Sequence, residues 1–506
     1  MLARVRSAAL LGIDSAPVDV EVDVSLGLPC FQVVGLPHGA VREGRDRVLA
    51  ALTHVGCRIP PRRIVVNLAP ADLPKEGSSF DLPIALGLLV GAELLAPAAL
   101  SDTLFVGEVG LDGSVRPVRG ALSVALACRS SGVSRLVVPD ANAEEAAAVS
   151  GLDVFGVSHL SELVAQLRDP ALAVVRRPAR HPRETETRAS PGLAAIRGQE
   201  RAKRALEIAA AGGHNLLLEG PPGAGKTLLA RALATLLPPL DEQEAIEVTR
   251  VHSVAGLLPA GASLLHARPF RAPHHTVSDA GLVGGGRPPR PGEASLAHLG
   301  VLFLDELPEF RRGALEALRQ PLEEGHVTIG RARVTTRFPT RFQLVAAMNP
   351  CPCGLRGAQG IACACSEDSV RRYRARLSGP LLDRIDLFSW VPRVELNRLA
   401  GGGAGEGTEQ GILQRIARAR RAQKNRFPAV SAHTNAALAL ADLEHAVPLG
   451  PAPQRLLLRA ADRWALSARA YHRVLRVSRT IADLDGIAQV EERHVAEALQ
   501  FRREAS

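Results

Sequence analysis

The chain has 506 residues, 46% of them hydrophobic and 22% charged, with a formal net charge of +9. At roughly 100–200 residues per domain, a chain this long predicts three or four units rather than one core. No run of about eighteen apolar residues is free of charge, which excludes a membrane-spanning helix, and seven cysteines behind an N-terminus unlike a signal peptide exclude a disulfide framework and point to the cytoplasm.

The first 168 residues alternate β-like runs with Ala/Leu-rich helices. "VDVEVDVSL" has the period of a half-exposed strand, "RIVVNLAP" and "RLVVPD" read as buried strands, and "DLPIALGLLVGAELL" and "GALSVALACRSSG" read as helices. This predicts an α+β domain over 1–168. Prolines and mixed charge at 169–190 mark a linker. From 191 to 396 strands alternate with helices, the pattern of an α/β unit with a parallel sheet. A glycine-rich loop, 398–411, opens a last region, 397–506, with helical spacing and no convincing strand. Charge is unevenly spread. Residues 1–168 hold 14 basic and 18 acidic side chains, whereas residues 411–506 hold 16 and 9. A polyanionic partner is therefore expected on the second half.

The most specific motif is "GPPGAGKT", Gly220 to Thr227, between the strand-like "NLLLEG" and the helical "TLLARALATLL". In that context G-x-x-x-x-G-K-[ST] is a phosphate-binding loop, because its backbone N–H groups and the helix N-terminus face an anion. Gly220, Pro221, Pro222, Gly223, Ala224, Gly225, Lys226, Thr227 and Leu228 form the expected ATP-binding segment. Lys226 is placed to reach the β- and γ-phosphates, and the Thr227 hydroxyl to hold Mg²⁺. "GVLFLDELPEF" then ends an apolar strand in Asp305, a second Mg²⁺ ligand, and Glu306, a base for the attacking water. "RFQLVAAMNP" ends another strand in Asn349, which can orient that water or simply terminate the strand at Pro350.

These motifs, with "RPFRAPHHTVSDAGLVGGG", "LRQPLEEG", "AAMNPCPCG", "GPLLDRIDL" and "SARAYHRVLRVSRTIADL", make the chain resemble the Mg-chelatase-like AAA+ ATPases of the YifB/ComM group over nearly its whole length. The resemblance implies an AAA+ P-loop core with a parallel sheet and a C-terminal helical lid. It implies Asn349 as sensor 1, Arg384 as the arginine finger offered to a neighbouring subunit and Arg469 as the sensor-2 arginine. It further implies a homohexamer that hydrolyses ATP with Mg²⁺ and acts on single-stranded or branched DNA. The activity implied is that of a helicase or branch-migration motor in homologous recombination of incoming DNA. A protein-remodelling or Mg-chelatase-like chaperone ATPase is the alternative. By spacing alone Arg384 can instead pair with Asp383 or Asp386, and Arg469 can lie on a solvated helix face.

A hairpin is expected at "GHVTIGRARVTTRFPTRFQ", with Arg331 and Arg333 on one strand face, and the helix "RIARARRAQKNR" adds a basic row. Both can grip phosphates or be solvated surface. His274 and His275 read as structural rather than metal-binding. The first domain resembles the Lon protease-like (ribosomal S5 domain 2-like) fold. Ser79 falls at the position of Lon's nucleophile, but Val124 stands near the place of the partner lysine, so a non-catalytic domain is expected. Cys351, Cys353, Cys363 and Cys365 form two C-x-C pairs. They can complete a structural Zn²⁺ shell, remain reduced thiols, or sense redox state.

Overall fold

The computed structural model describes residues 1–36, 40–169, 192–259, 261–331, 334–358, 362–394, 409–426 and 434–502. The linker read at 169–190 lies outside them except for Asp169, and the glycine-rich loop lies outside them as far as residue 408.

The N-terminal region is built on a seven-stranded mixed sheet. Its strands run in the order Cys30–Val34, Arg63–Ala69, Asp14–Ser25, Leu2–Leu11, Thr103–Phe105, Arg135–Pro139 and Asp153–Val157. In Asp14–Ser25 alternate residues Val18, Val20, Val22 and Val24 are buried, as a one-sided strand requires. They meet the helix Asp81–Gly91, every residue of which is buried. Contact this close depends on two glycines. A Cβ on Gly87 would stand 2.5 Å from Val22 Cγ2, and one on Gly91 2.7 Å from Val24 Cγ2.

The second sheet has five parallel strands in the order Phe270–Arg271, Val301–Leu304, Gln343–Met348, Leu216–Glu219 and Leu387–Trp390. Both faces are covered. Leu216 and Leu218 belong to one apolar cluster and Leu217 to another; Phe303 divides from Leu302 and Leu304 in the same way. That is why these strands read as continuous apolar runs. Because the phosphate-loop strand lies between Gln343–Met348 and Leu387–Trp390, the chain ends at Gly220 and Asn349 emerge side by side at one sheet edge.

The C-terminal helices Glu409–Arg426, Leu440–Ala446, Pro451–Arg463, Ala468–Asp485 and Glu492–Gln500 bury Ile416, Val474, Ile481 and Val495 in the same cluster as Leu206, Leu229 and Val345. A short hairpin, Gly284–Gly285 with Arg290–Pro291, separates the helices Asp279–Val283 and Glu293–Leu296. A second, His326–Arg331 with Val334–Pro339, precedes the strand that ends at Asn349. The helix Glu242–Ala255 joins the two regions. Ser253 donates to Glu145, and Arg250 reaches Asp14 and the Ile13 carbonyl.

Candidate ATP site and four-cysteine centre

The phosphate loop turns through Gly223 and Gly225, at φ 75° and 84°, where an added Cβ would break no contact but would strain the backbone. Gly220 serves a different need: a Cβ there would lie 2.2 Å from the Val391 carbonyl oxygen. The loop is braced from behind. Gln199 Nε2 donates to the Ala224 carbonyl at 2.7 Å, and Arg393 Nε to the Pro222 carbonyl at 3.2 Å.

Lys226 opens the helix Lys226–Leu236. Its ammonium donates to the Gly220 and Pro221 carbonyls at 2.6 and 3.0 Å and to Asn349 Oδ1 at 3.1 Å. Burial lowers its pKa, opposed by the charges of Asp305, Glu306 and Glu219. Thr227 Oγ1 donates to Asp305 Oδ2 at 2.9 Å. Asp305 Oδ1 accepts the Glu306 backbone N–H at 2.9 Å, and Glu306 itself sits at φ 52° with its side chain turned outward. Lys226, Thr227, Asp305, Glu306 and Asn349 thus meet at one end of the parallel sheet. The set suits a nucleotide triphosphate with Mg²⁺: a lysine supplied only with neutral acceptors, a hydroxyl and a carboxylate paired for a hard cation, and loop glycines open to an anion.

The other two arginines implied by the resemblance lie together, away from this cluster of contacts. Arg384 follows the helix Gly379–Leu382, and its guanidinium binds Glu323 and the Pro380 carbonyl rather than Asp383 or Asp386. Burial lowers its pKa, and the positive charges of Arg319, Arg469 and Arg473 lower it further. Arg469 is exposed, in the first turn of Ala468–Asp485, within electrostatic reach of Arg384.

Most of the basic row of Glu409–Arg426, read above as a phosphate grip or a solvated surface, is bonded within the chain. Arg415 pairs with Glu207 at 2.6 Å, Arg418 donates to the Leu484 carbonyl, Arg420 donates to Ala210 O, and Arg426 pairs with Asp483. Arg421 and Lys424 are exposed. The expected hairpin is present, but Arg333 and the side chain of Arg331 lie outside the described residues; Arg337 donates to His326 Nδ1 at 2.8 Å. In the N-terminal region Val124 is buried in the helix Ala121–Ser130.

The four cysteines converge. Cys351 Sγ lies 3.4 Å from Cys353 Sγ and 3.6 Å from Cys363 Sγ, the last two are 3.6 Å apart, and all four sulfurs fall within 4.8 Å of one another. Sulfurs at ~2.3 Å from a tetrahedral zinc are ~3.8 Å apart, close to the three short separations, so the set is of the size and ligand type that suit that ion. The Leu355 backbone N–H holds the Cys353 thiol down to about 6, aided by hydrogen bonds from Cys365 and Cys351, while the thiols of Cys363 and Cys365 are pushed up, so in the metal-free loop one thiolate is favoured and shared by its neighbours. The Arg356 backbone N–H donates to Cys351 Sγ at 3.4 Å. This loop rests on the nucleotide site: a Cβ on Gly354 would stand 2.5 Å from Pro222 Cδ and 3.6 Å from Asn349 Cγ.

Family models for the magnesium chelatase subunit ChlI match residues 192–399 and 20–142, and that for its C-terminal part matches 406–502. The chain belongs to the magnesium-chelatase-like AAA+ ATPase family. Within this family it is 44% identical over 508 residues to competence protein ComM of Haemophilus influenzae, covering 99% of this chain and 97% of that one. It is 42% identical to the uncharacterized protein YifB of Escherichia coli, with the same coverage. The 67 kDa magnesium-chelatase subunit of Heliobacterium mobile matches at 30% over 230 residues, 40% of this AAA+ chain and 34% of that subunit. Nucleotide and Mg²⁺ use go with the family, and among the described residues no helix is long and apolar enough to cross a membrane.

Several contacts escaped the sequence reading. Gln199 and Arg374 are two: Arg374 pairs with Glu219 at 2.7 Å, at the end of the phosphate-loop strand. His275 is a third, and its Nδ1 lies 3.3 Å from Glu306 Oε2. Gln199 and Arg374 lie in no motif, and His275, read above as structural within the signature stretch, was given no partner, since each contact spans a long sequence separation.

Proposed function

We propose that the chain is an ATP-hydrolysing hexameric motor that moves on or remodels DNA, with helicase or branch-migration activity in the recombination of incoming DNA. The observation that carries the ATPase half is the convergence of Lys226 and Asn349 with the Thr227–Asp305 pair. The DNA half is supported by near-full-length similarity to a competence protein and by the excess of basic over acidic residues in the second half of the chain.

In this reading Lys226 exchanges its carbonyl partners for phosphate oxygens. Thr227 and Asp305 would hold Mg²⁺, which would neutralise phosphate charge when bound. Glu306 takes a proton from water as the water oxygen bonds to the γ-phosphorus and the bond to the ADP oxygen breaks. Asn349 orients that water. Arg384 acts as an arginine finger on the nucleotide of the neighbour, and Arg469 is the sensor-2 arginine of the helical lid. Residues 1–168 form a non-catalytic Lon protease-like domain, 169–190 a linker, 191–396 the ATPase core and 397–506 the lid. The similarity to a magnesium-chelatase subunit favours a second reading, a protein-remodelling ATPase. Forked DNA should stimulate ATP hydrolysis under the first reading and leave it unchanged under the second.

Arg331 and Arg333 are assigned to DNA. Their alanine variants should keep basal ATPase and lose DNA stimulation, with a shallower salt dependence of DNA binding measured by fluorescence anisotropy. An unchanged salt slope would return them to solvated surface.

Cys351, Cys353, Cys363 and Cys365 are assigned to structural zinc that closes the loop beneath Asn349 and Pro222. Four thiolate ligands would leave no open coordination position, so such an ion would hold the loop rather than supply chemistry. Elemental analysis should find about one zinc per chain, absent from the Cys351→Ser/Cys365→Ser variant, which should also show raised proteolysis between 351 and 365. Metal-free wild-type protein with an intact, protease-resistant loop would refute the assignment.

A further inference from the structure

We propose that the turn Gly12–Ile13 of the N-terminal region is the seat that positions the hairpin His326–Arg331 with Val334–Pro339 for DNA; the inference rests on the reading of Arg331 and Arg333 as DNA contacts. A two-stranded hairpin is marginal in water without further support. Here the support can be named. Thr336 stands directly opposite Ile329, two residues from the far end of the ladder at Arg331 and Val334, and directly opposite residues share a face. On that face Ile329 meets the other short hairpin: a Cβ on Gly284 would lie 2.9 Å from Ile329 Cδ1. Thr336, only 5% exposed, meets the N-terminal region: a Cβ on Gly12 would overlap Thr336 Cγ2. Gly12 is thus required twice, for this approach and for its φ of 69° in the two-residue turn between the paired Leu11 and Asp14.

The turn is itself held. The Ile13 carbonyl accepts from Ser123 Oγ at 2.6 Å and from Arg250 Nη2 at 3.0 Å, and Arg250 also pairs with Asp14. Arg250 belongs to Glu242–Ala255, the helix that joins the two regions. The turn is therefore fixed to the ATPase core on one side and touches the hairpin on the other. The hairpin runs on through residues 340–342 into Gln343–Met348, the strand that ends at Asn349. A hairpin free to tilt on DNA would absorb displacement by bending, whereas a seated one passes it to that strand.

Asn tolerates positive φ, so Gly12→Asn tests the overlap with Thr336 and not the turn. Arg250→Ala releases the turn from the core. In the full-length protein each should cut DNA-stimulated ATPase about 3- to 30-fold, the scale of a broken coupling contact, and speed amide exchange in the strands His326–Arg331 and Val334–Pro339. Basal ATPase and DNA affinity should stay those of the wild type. The pair Gly12→Cys/Thr336→Cys tests the seat from the other side. Thr336 Cβ lies 3.7 Å from a Cβ at position 12, within disulfide reach. Oxidised with glutathione disulfide beside an equally treated wild type, the stapled protein should keep its DNA stimulation. Unchanged stimulation in both single variants overturns the proposal. So does a cysteine pair that does not close, a staple that abolishes stimulation until reduced, or basal ATPase that falls as far as the stimulated rate. If wild-type ATPase ignores DNA, or Arg331→Ala/Arg333→Ala leaves DNA binding unchanged, the DNA reading fails and this inference with it.

Discussion

Replacing Glu306 by Gln should reduce ATP turnover by about 10²–10⁴-fold, the usual contribution of a positioned base, while ATP binding persists. The amide keeps the shape of the side chain and cannot accept the proton. The effect should separate from that of Lys226→Ala. Lys226 is the ammonium held by two loop carbonyls and Asn349, so its loss removes phosphate binding and turnover together. Equilibrium binding of a fluorescent ATP analogue, measured beside steady-state hydrolysis, distinguishes the two. The Glu306→Gln protein should retain nucleotide and accumulate the ATP-bound state; the Lys226→Ala protein should do neither. Wild-type turnover in Glu306→Gln would remove this residue from the chemistry.

Arg384→Ala should be as severe, about 10³–10⁵-fold in kcat, yet for a reason that lies in the neighbouring subunit. Within one chain the Arg384 guanidinium is neutralised by Glu323 and crowded by Arg319, Arg469 and Arg473. A partly buried arginine within reach of three others is costly to keep charged in place, and a phosphate of the next subunit would relieve that repulsion. Mixing Arg384→Ala with Lys226→Ala protein should therefore restore part of the activity, at interfaces where an intact phosphate loop meets an intact arginine. A mixture that forms rings and stays inactive would place Arg384 in a purely structural role with Glu323.

The contiguous parts of the site were legible in the sequence. A strand, a glycine turn and a helix read directly as the phosphate loop, and the apolar run "VLFL" delivers Asp305 by its own length. A water-orienting role for Asn349 was raised from its strand-end position beside a strand-terminating alternative, and family resemblance favoured it; its proximity to Lys226 depends on sheet order, since the two residues are 123 apart in sequence and adjacent strands bring them together. Arginine partners were the least legible. Periodicity placed Arg415 and Arg418 on a helix face, but it cannot report that Glu207 and the Leu484 carbonyl wait on that face. A long side chain reaches whatever tertiary packing supplies. The same reason hid His275. Two adjacent histidines carry no periodic signal, and their meaning comes from the neighbouring parallel strand. The cysteines lie between these cases: their spacing raised a metal shell among other readings, and the folded loop gathers all four sulfurs.

The central claim is that hydrolysis at this site drives work on DNA. Strand displacement on forked duplexes and branch migration on four-way junctions, with purified wild-type and Glu306→Gln protein, test it most directly. The account predicts ATP-dependent product from the wild type and none from the variant, although both bind the DNA. Robust ATP hydrolysis by the wild type with no displacement or migration on either substrate would contradict it.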